Sequence, residues 1–179
     1  MKTLMAMTLL TLSLAHAADI NLGAAQFAGD CPLDSELVVN EGGVGLQLSG
    51  VVSQTGAQSL SRKRCTMAVP FTVPAGTQIA IQATQVSVNA RLGRGNRGTV
   101  NLEAFLAGPG SSLTLSKQFK QRQVLRGDLI ATEDELKWTE CGGQGLLRFN
   151  ASSTLQGRRA ATLAISAVNI ALAVRPCQQ

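Results

Sequence analysis

The sequence predicts an all-β protein folded as an antiparallel β-sandwich with two disulfides. Three observations support this class. Apolar residues recur with a period of two, glycine-rich turns separate the segments at short intervals, and the cysteines number four. Seven or more strands at this spacing are typical of a sandwich.

The first residues resemble an export signal rather than a strand. Lys2 supplies a positive start, an apolar run follows, and Ala15-His16-Ala17 matches a small-x-small cleavage site. We therefore expect residues 1–17 to be a signal peptide and residues 18–179 a single β-sandwich domain. The apolar run is shorter than the roughly 20 residues that cross a bilayer, so no transmembrane segment is expected. The expected location is secreted: extracellular, or periplasmic in a Gram-negative bacterium.

Strands are expected where apolar residues alternate with small or polar ones. In chain order, these regions are Val44 to Leu48, Ile79 to Ala90, Val100 to Leu106, Leu113 to Phe119 and Leu163 to Val174.

In two of these regions, Ile79 to Ala90 and Leu163 to Val174, the apolar residues change from odd-numbered to even-numbered positions along the strand. In the second region, a bulge near Thr84-Gln85 would restore the alternation. The last region is rich in alanine and would tolerate a helix, but a helix would spread Val168 to Val174 over more than one face, so a strand is favoured. The only stretch suited to a helix is Ala131 to Trp138. We therefore expect at most one short helix.

The cysteines are expected to form two disulfides, because an exported chain folds in an oxidising compartment. Three pairings are possible in principle. A zinc site is disfavoured, because the sequence has no Cys-x-x-Cys motif and its single histidine, His16, lies in the expected signal peptide. We expect no metal and no cofactor. The cysteines are Cys31, Cys65, Cys141 and Cys177.

Several short motifs occur in a characteristic order. The first half contains Gly29-Asp30-Cys31-Pro32, Arg62-Lys63-Arg64-Cys65 and Val73-Pro74-Ala75-Gly76. The second half contains Gly108-Pro109-Gly110, Trp138-Thr139-Glu140-Cys141-Gly142, Leu147-Arg148-Phe149-Asn150 and Val174-Arg175-Pro176-Cys177. This order resembles the secreted domain-of-unknown-function family 4360 over almost all of residues 18–179. The resemblance implies export, a β-rich fold and disulfides within each half, Cys31 with Cys65 and Cys141 with Cys177. It implies no activity, because none is established for the family.

The processed chain would contain no histidine, which excludes Ser-His-Asp and Cys-His catalysis. We therefore assign no catalytic residue. Four carboxylates near the single tryptophan, Trp138, are candidates for a glycosidase-type hydrolase by residue type alone. A solvated acidic turn, with Trp138 filling the sandwich core, explains the same residues and is favoured. The carboxylates are Glu133, Asp134, Glu135 and Glu140.

A glycine-rich segment with nearby arginines is the candidate binding site. Residues 93–98 match G-x-G-x-x-G, but a strand rather than a helix is expected next, so a hairpin loop is favoured over a dinucleotide site. The guanidinium groups of Arg91, Arg94 and Arg97 suit a phosphate or sulfate anion. A second short motif, Arg126-Gly127-Asp128, matches the cell-adhesion tripeptide, but a simple turn explains it.

The formal net charge is +5, and the basic residues are clustered. These features favour a secreted, non-catalytic β-sandwich protein that acts as a surface or extracellular binding or structural module. The expected partner is an acidic polymer or an extracellular protein. Nucleic acid is not expected, because the basic clusters lack interleaved aromatic residues. The alternatives are an exported carboxylate-based hydrolase and a proteinase inhibitor.

Overall fold

The computed structural model describes residues 20–40, 43–56, 58–107, 111–120 and 124–177. The expected signal peptide, residues 1–17, lies outside the described residues. Within them the chain forms eleven strands, in the order β1 (Asn21–Leu22), β2 (Gln26–Gly29), β3 (Glu36–Asn40), β4 (Gly43–Thr55), β5 (Leu60–Val73), β6 (Thr77–Arg91), β7 (Arg97–Ala107), β8 (Ser112–Phe119), β9 (Val124–Thr132), β10 (Gly143–Gln156) and β11 (Ala161–Pro176).

The strands form two antiparallel sheets, which confirms the predicted sandwich. The six-stranded sheet has the order β1-β5-β10-β7-β8, and β2 pairs with β5 as β1 does. The five-stranded sheet has the order β3-β4-β11-β6-β9. The described residues contain no helix, and so none that could span a membrane.

Most connections carry the chain from one sheet to the other. From β4 onwards, only β7 and β8 are consecutive strands that pair directly. The turns that follow β4, β6, β8 and β10 therefore lie at one end of the sandwich. Those that follow β5, β7 and β9 lie at the opposite end. In each sheet, the register places Arg91 beside Thr162 and Arg97 beside Gln156 at the first of these ends.

The core is an almost wholly aliphatic layer between the sheets. Phe119 and Phe149 are completely buried in it, as are many valines, leucines and isoleucines. One polar bridge crosses the layer. The Ser53 hydroxyl donates to the Ser153 backbone carbonyl oxygen at 2.8 Å, and the Ser153 hydroxyl donates to the Val51 carbonyl oxygen at 3.2 Å. These bonds satisfy hydroxyls that would otherwise be costly to bury.

Register shifts preserve the apolar face of the long strands. In β11 the shift falls at Ser166, between Ile165 and Ala167, as the parity change predicted. In β6 it falls at Gln82, two residues before the predicted position at Thr84-Gln85. The predicted position was wrong by two residues because Thr84, although polar, is buried and faces the core together with Val86 and Val88. Val44 is also buried, while the side chains of Leu46 and Leu48 lie outside the described residues.

The two disulfides join cysteines within each half of the chain. Cys31 pairs with Cys65 and Cys141 with Cys177, at Cα–Cα distances of 4.5 and 5.6 Å. The structure thus selects one of the three pairings that the cysteine count left open, the one implied by the family resemblance. The first disulfide holds the segment after β2 against β5. The second attaches the loop before β10 to the end of β11.

The segment considered for a helix, Ala131 to Trp138, is not helical. Its first two residues end β9, and the loop that follows runs beside the start of β6. Its backbone bonds to that strand rather than to itself: Glu133 N donates to Gln82 O at 3.0 Å and Thr139 N donates to Ile79 O at 2.9 Å. The backbone N–H groups that would form the hydrogen bonds of a helical turn therefore donate to β6 instead.

Trp138 does not fill the core, contrary to the sequence-based expectation. It is half-buried outside the apolar layer, and the Arg175 guanidinium lies 4.1 Å from the centre of its ring. The guanidinium Nε also donates to the Gln78 side-chain oxygen at 3.1 Å. The indole thus covers the end of β11 through a cation–π contact, and the core is closed by smaller side chains.

An exposed ion pair lies beside the first disulfide. Lys63 Nζ lies 2.8 Å from an Asp30 carboxylate oxygen, and Arg64 N donates to the other at 3.0 Å. The Lys63 hydrogen bond, assisted by the Arg64 backbone, lowers the pKa of Asp30 below its ordinary value of 3.8. Stability from this carboxylate is present above that ordinary value and is lost as the pH falls through the lowered one.

We expect Asp30→Asn to lower the melting temperature near neutral pH, because the ion pair and the charge-assisted bond are both lost. The difference from the parent protein should shrink as the pH approaches about 2, where Asp30 is protonated in both folded and unfolded chains. Thermal unfolding across this range measures the effect. Glu36→Gln, which removes an exposed carboxylate at the start of β3, is the matched control. If Asp30→Asn lowered the melting temperature equally at every pH, the role given to the ionised Asp30 carboxylate would be contradicted.

Candidate anion-binding site

Two of the three predicted arginines line an open cavity at one end of the sandwich. Arg94 lies in the loop between β6 and β7, and Arg97 begins β7. With Arg158 and Arg159, from the loop between β10 and β11, they line a cavity of about 680 Å³. The third predicted residue, Arg91, lies at the exposed end of β6 and does not line this cavity.

The glycine-rich loop is not the hairpin that its sequence indicated. β6 and β7 belong to different sheets, so residues 92–96 carry the chain across the end of the sandwich. Leu92 and Asn96 are buried beneath the loop, which fixes its path. Gly95 has a φ of 83°, a conformation that favours glycine. Arg94 and Arg97 are thereby directed to the end of the molecule.

Hydrogen bonds join three loops around the cavity. Asn96 Nδ2 and Thr55 Oγ1 both donate to the Arg159 carbonyl oxygen, at 3.0 and 2.8 Å. Gly157 N donates to the Ser59 carbonyl oxygen at 2.8 Å. The loops that carry the arginines are therefore held together before any ligand arrives, which lowers the entropy cost of binding.

A second cavity adjoins the first. It has a volume of about 370 Å³ and shares Arg97 and Gln156 with its neighbour. Its remaining lining includes Lys120 and the polar side chains of Gln118 and Thr154. The two cavities form one continuous surface, which we call the basic end and define by its cations: Arg94, Arg97, Lys120, Arg158 and Arg159.

Within the described residues, the cations of the basic end have no carboxylate partner. None of its four arginines takes part in an ion pair or a side-chain hydrogen bond within the described residues. Among those residues, no carboxyl group lines either cavity. The surface therefore offers unpaired guanidinium groups, which suit oxygen anions because each can donate two parallel hydrogen bonds.

The candidate hydrolase carboxylates lie at the opposite end of the sandwich. Glu133, Asp134, Glu135 and Glu140 all belong to the loop between β9 and β10, which flanks the start of β6. They line neither cavity of the basic end. The described residues contain no group of three or more His, Cys, Asp or Glu side chains arranged to hold a metal ion.

Two other sequence motifs lie within strands rather than loops. Residues 62–64 belong to β5, where Arg62 and Arg64 are exposed on the outer face of the six-stranded sheet and Lys63 pairs with Asp30. Arg126-Gly127-Asp128 lies in the middle of β9, paired with β6, and forms no turn. Ladder pairing with the neighbouring strand, which local sequence does not reveal, explains the difference.

A family profile matches most of the chain. The profile is that of a domain of unknown function, DUF4360, and it covers residues 30–176. The protein therefore belongs to this family, as its motifs indicated. No curated protein sequence matches it.

Solved structures resemble the protein only distantly. A β-1,4-galactotriose complex of TmCBM61 is 9% identical, with a TM-score of 0.27 over 86% of this chain and 88% of the other. The family 11 carbohydrate-binding module of Clostridium thermocellum, solved with a mixed-linked tetrasaccharide, is 7% identical, with a TM-score of 0.28 over 90% and 93%. A family two carbohydrate esterase from Cellvibrio japonicus is 8% identical, with a TM-score of 0.23 over 87% and 36%. Similarity at this level supports no functional argument.

Gly157 lies at the close contact between the two arginine-bearing loops. Its φ is 151°, and a Cβ at this position would collide with the Asn96 side chain. We expect Gly157→Ala to cost roughly 1–3 kcal/mol of unfolding free energy and to separate the two loops. Urea unfolding measures the cost. Gly95→Ala is the control, because its Cβ would meet no atom within 4 Å and only its φ is unfavourable. A smaller loss for Gly157→Ala than for the control would contradict the packing described.

Proposed function

We propose that the protein is an exported, non-catalytic binding module that holds an acidic polymer at its basic end. The observation that carries this proposal is the convergence of Arg94, Arg97, Arg158 and Arg159 on one open cavity. Arg94, Arg158 and Arg159 come from two loops that are hydrogen-bonded to each other, and Arg97 begins β7, so their proximity is a property of the fold. Their charges have no partner within the described part of the chain.

The shape of the basic end favours a polymer over a single small anion. The two adjoining cavities share Arg97 and Gln156, and together they extend from Arg159 to Lys120. A chain with repeated phosphate, sulfate or carboxylate groups would contact both cavities at once. Repeated contacts compensate for the modest strength of each exposed ion pair, because the second contact forms within the same complex.

Export is supported by two features of the chain. Residues 1–17 match a secretory signal, and the two disulfides are of the kind that persists in oxidising compartments. N-terminal sequencing of the protein recovered outside the cytoplasm tests this step directly. A mature chain that begins at Ala18 supports it, and an intact Met1 start contradicts it.

The binding step is tested with polyphosphate, dextran sulfate and polygalacturonate, each measured by isothermal titration calorimetry. Arg94→Gln with Arg158→Gln should weaken binding by about tenfold, because two exposed ion pairs of roughly 0.7 kcal/mol each are lost. Affinity for the parent protein should also fall as salt is raised.

The control removes the same charge from another surface. Arg64 and Arg148 are exposed on the outer face of the six-stranded sheet, on β5 and β10. Arg64→Gln with Arg148→Gln should leave polymer binding within about twofold of the parent protein if contacts rather than net charge decide affinity. Equal losses in both double variants, or no binding of any of the three polymers, would exclude the basic end as a specific site.

A further inference from the structure

A second cavity with different chemistry lies on the outer face of the five-stranded sheet. Its volume is about 390 Å³, within the roughly 300–1,000 Å³ typical of small-molecule sites. It extends across all four strands from β4 to β9, on the side of the sheet that faces away from the core. None of its lining residues belongs to the basic end.

The cavity exists because the sheet ladder is interrupted there. β11 pairs Ile165 with Val51 and then Ala167 with Gln47, so residues 48–50 of β4 face only Ser166. Small residues occupy the gap: Gly50 and Ala164 line the cavity, together with Ser166 itself. A side chain at position 50 would be strained, since Gly50 has a φ of 132° and a Cβ there would lie 2.9 Å from Val52 Cγ2. The opening is therefore built into the backbone.

The polar wall of the cavity comes from β6 and β9. Cross-strand pairing places Ser87 opposite Asp128 and Asn89 opposite Arg126. The Asp128 carboxylate is held by two donors, Ser87 Oγ at 2.6 Å and Gln85 Nε2 at 2.7 Å. An ionised carboxylate has about four acceptor positions, so two remain for a ligand.

The donors of the cavity lie beside this carboxylate. The Arg126 guanidinium forms no ion pair or side-chain hydrogen bond within the described residues. The Asn89 amide can both donate and accept a hydrogen bond. The wall thus combines a fixed carboxylate acceptor, an unpaired guanidinium donor and an amide within two neighbouring strands.

We infer that this cavity binds a neutral carbohydrate unit. Adjacent hydroxyl groups of a sugar ring each donate and accept, so one can donate to Asp128 while its neighbour accepts from Arg126. An anion that contacts Arg126 would also meet Asp128, and a cation that contacts Asp128 would also meet Arg126, so neither gains a net charge attraction. A purely apolar ligand would leave both charged groups desolvated and unpaired. The small residues of the floor leave room for a ring to lie against the sheet.

The test is a titration of the ¹⁵N-labelled protein with cellotetraose, maltotetraose and mannotetraose, followed by NMR. We expect at least one of these sugars to shift the amide signals of Ser87, Asn89 and Ser166 saturably. Ser166→Tyr, which fills the cavity without removing a polar wall residue, should weaken that binding by about tenfold or more. Arg126→Gln should weaken sugar binding as well. This variant tests the polar wall without filling the cavity.

The controls separate this site from the basic end. Arg94→Gln with Arg158→Gln should leave sugar binding unchanged, and Ser166→Tyr should leave polyphosphate binding unchanged. The inference is overturned if none of the three sugars binds, if the shifts map elsewhere, or if inorganic phosphate perturbs Ser87 and Asn89 more than any sugar does. Circular dichroism of each variant identifies a loss of fold. If Ser166→Tyr does not fold, Arg126→Gln decides the outcome.

Discussion

The structure depends on one constraint: each long strand must present its apolar side chains to the opposite sheet. Few aromatic residues are available, so the layer is filled by aliphatic side chains that alternate with small or polar ones. A one-residue slip would turn a whole strand inside out. The register shifts at Gln82 in β6 and Ser166 in β11 occur where the apolar residues change from odd to even positions. They keep the apolar side chains of both strands facing the core.

The same constraint creates the two candidate binding surfaces. Where β11 adjusts at Ser166, the ladder with β4 opens and leaves the cavity on the outer face of the five-stranded sheet. Because the chain crosses between sheets at most turns, alternate turns share an end, and arginines that are distant in sequence meet there. The disulfides constrain the segments outside the sandwich layer, the strap after β2 and the loop before β10. Packing thus governs both the stability of the fold and the position of its candidate sites.

The sequence predicted the strands and the sandwich well, because a period of two is a direct record of which side chains are buried. It failed where tertiary contacts override local pattern. Thr84 is polar yet buried, which displaced the expected bulge, and Trp138 stacks on Arg175 rather than entering the core. Half of the arginine cluster was missed. Arg158 and Arg159 join Arg94 only because their loops share an end, and the assignment of strands to sheets cannot be read from local periodicity. In an antiparallel sandwich successive turns lie at alternate ends, so counting the turns between Arg94 and Arg158 could have placed both at the same end.

The opposed charges of the two ends have a further physical meaning. Arginines surround one end, while the loop at the other carries Glu133, Asp134, Glu135 and Glu140 with a single lysine, Lys137. If the basic end binds an acidic polymer as proposed, this uneven charge distribution of the described residues would orient the molecule before contact. In that orientation the acidic loop would point away from the polymer, and the outer face of the five-stranded sheet would stay accessible from the side.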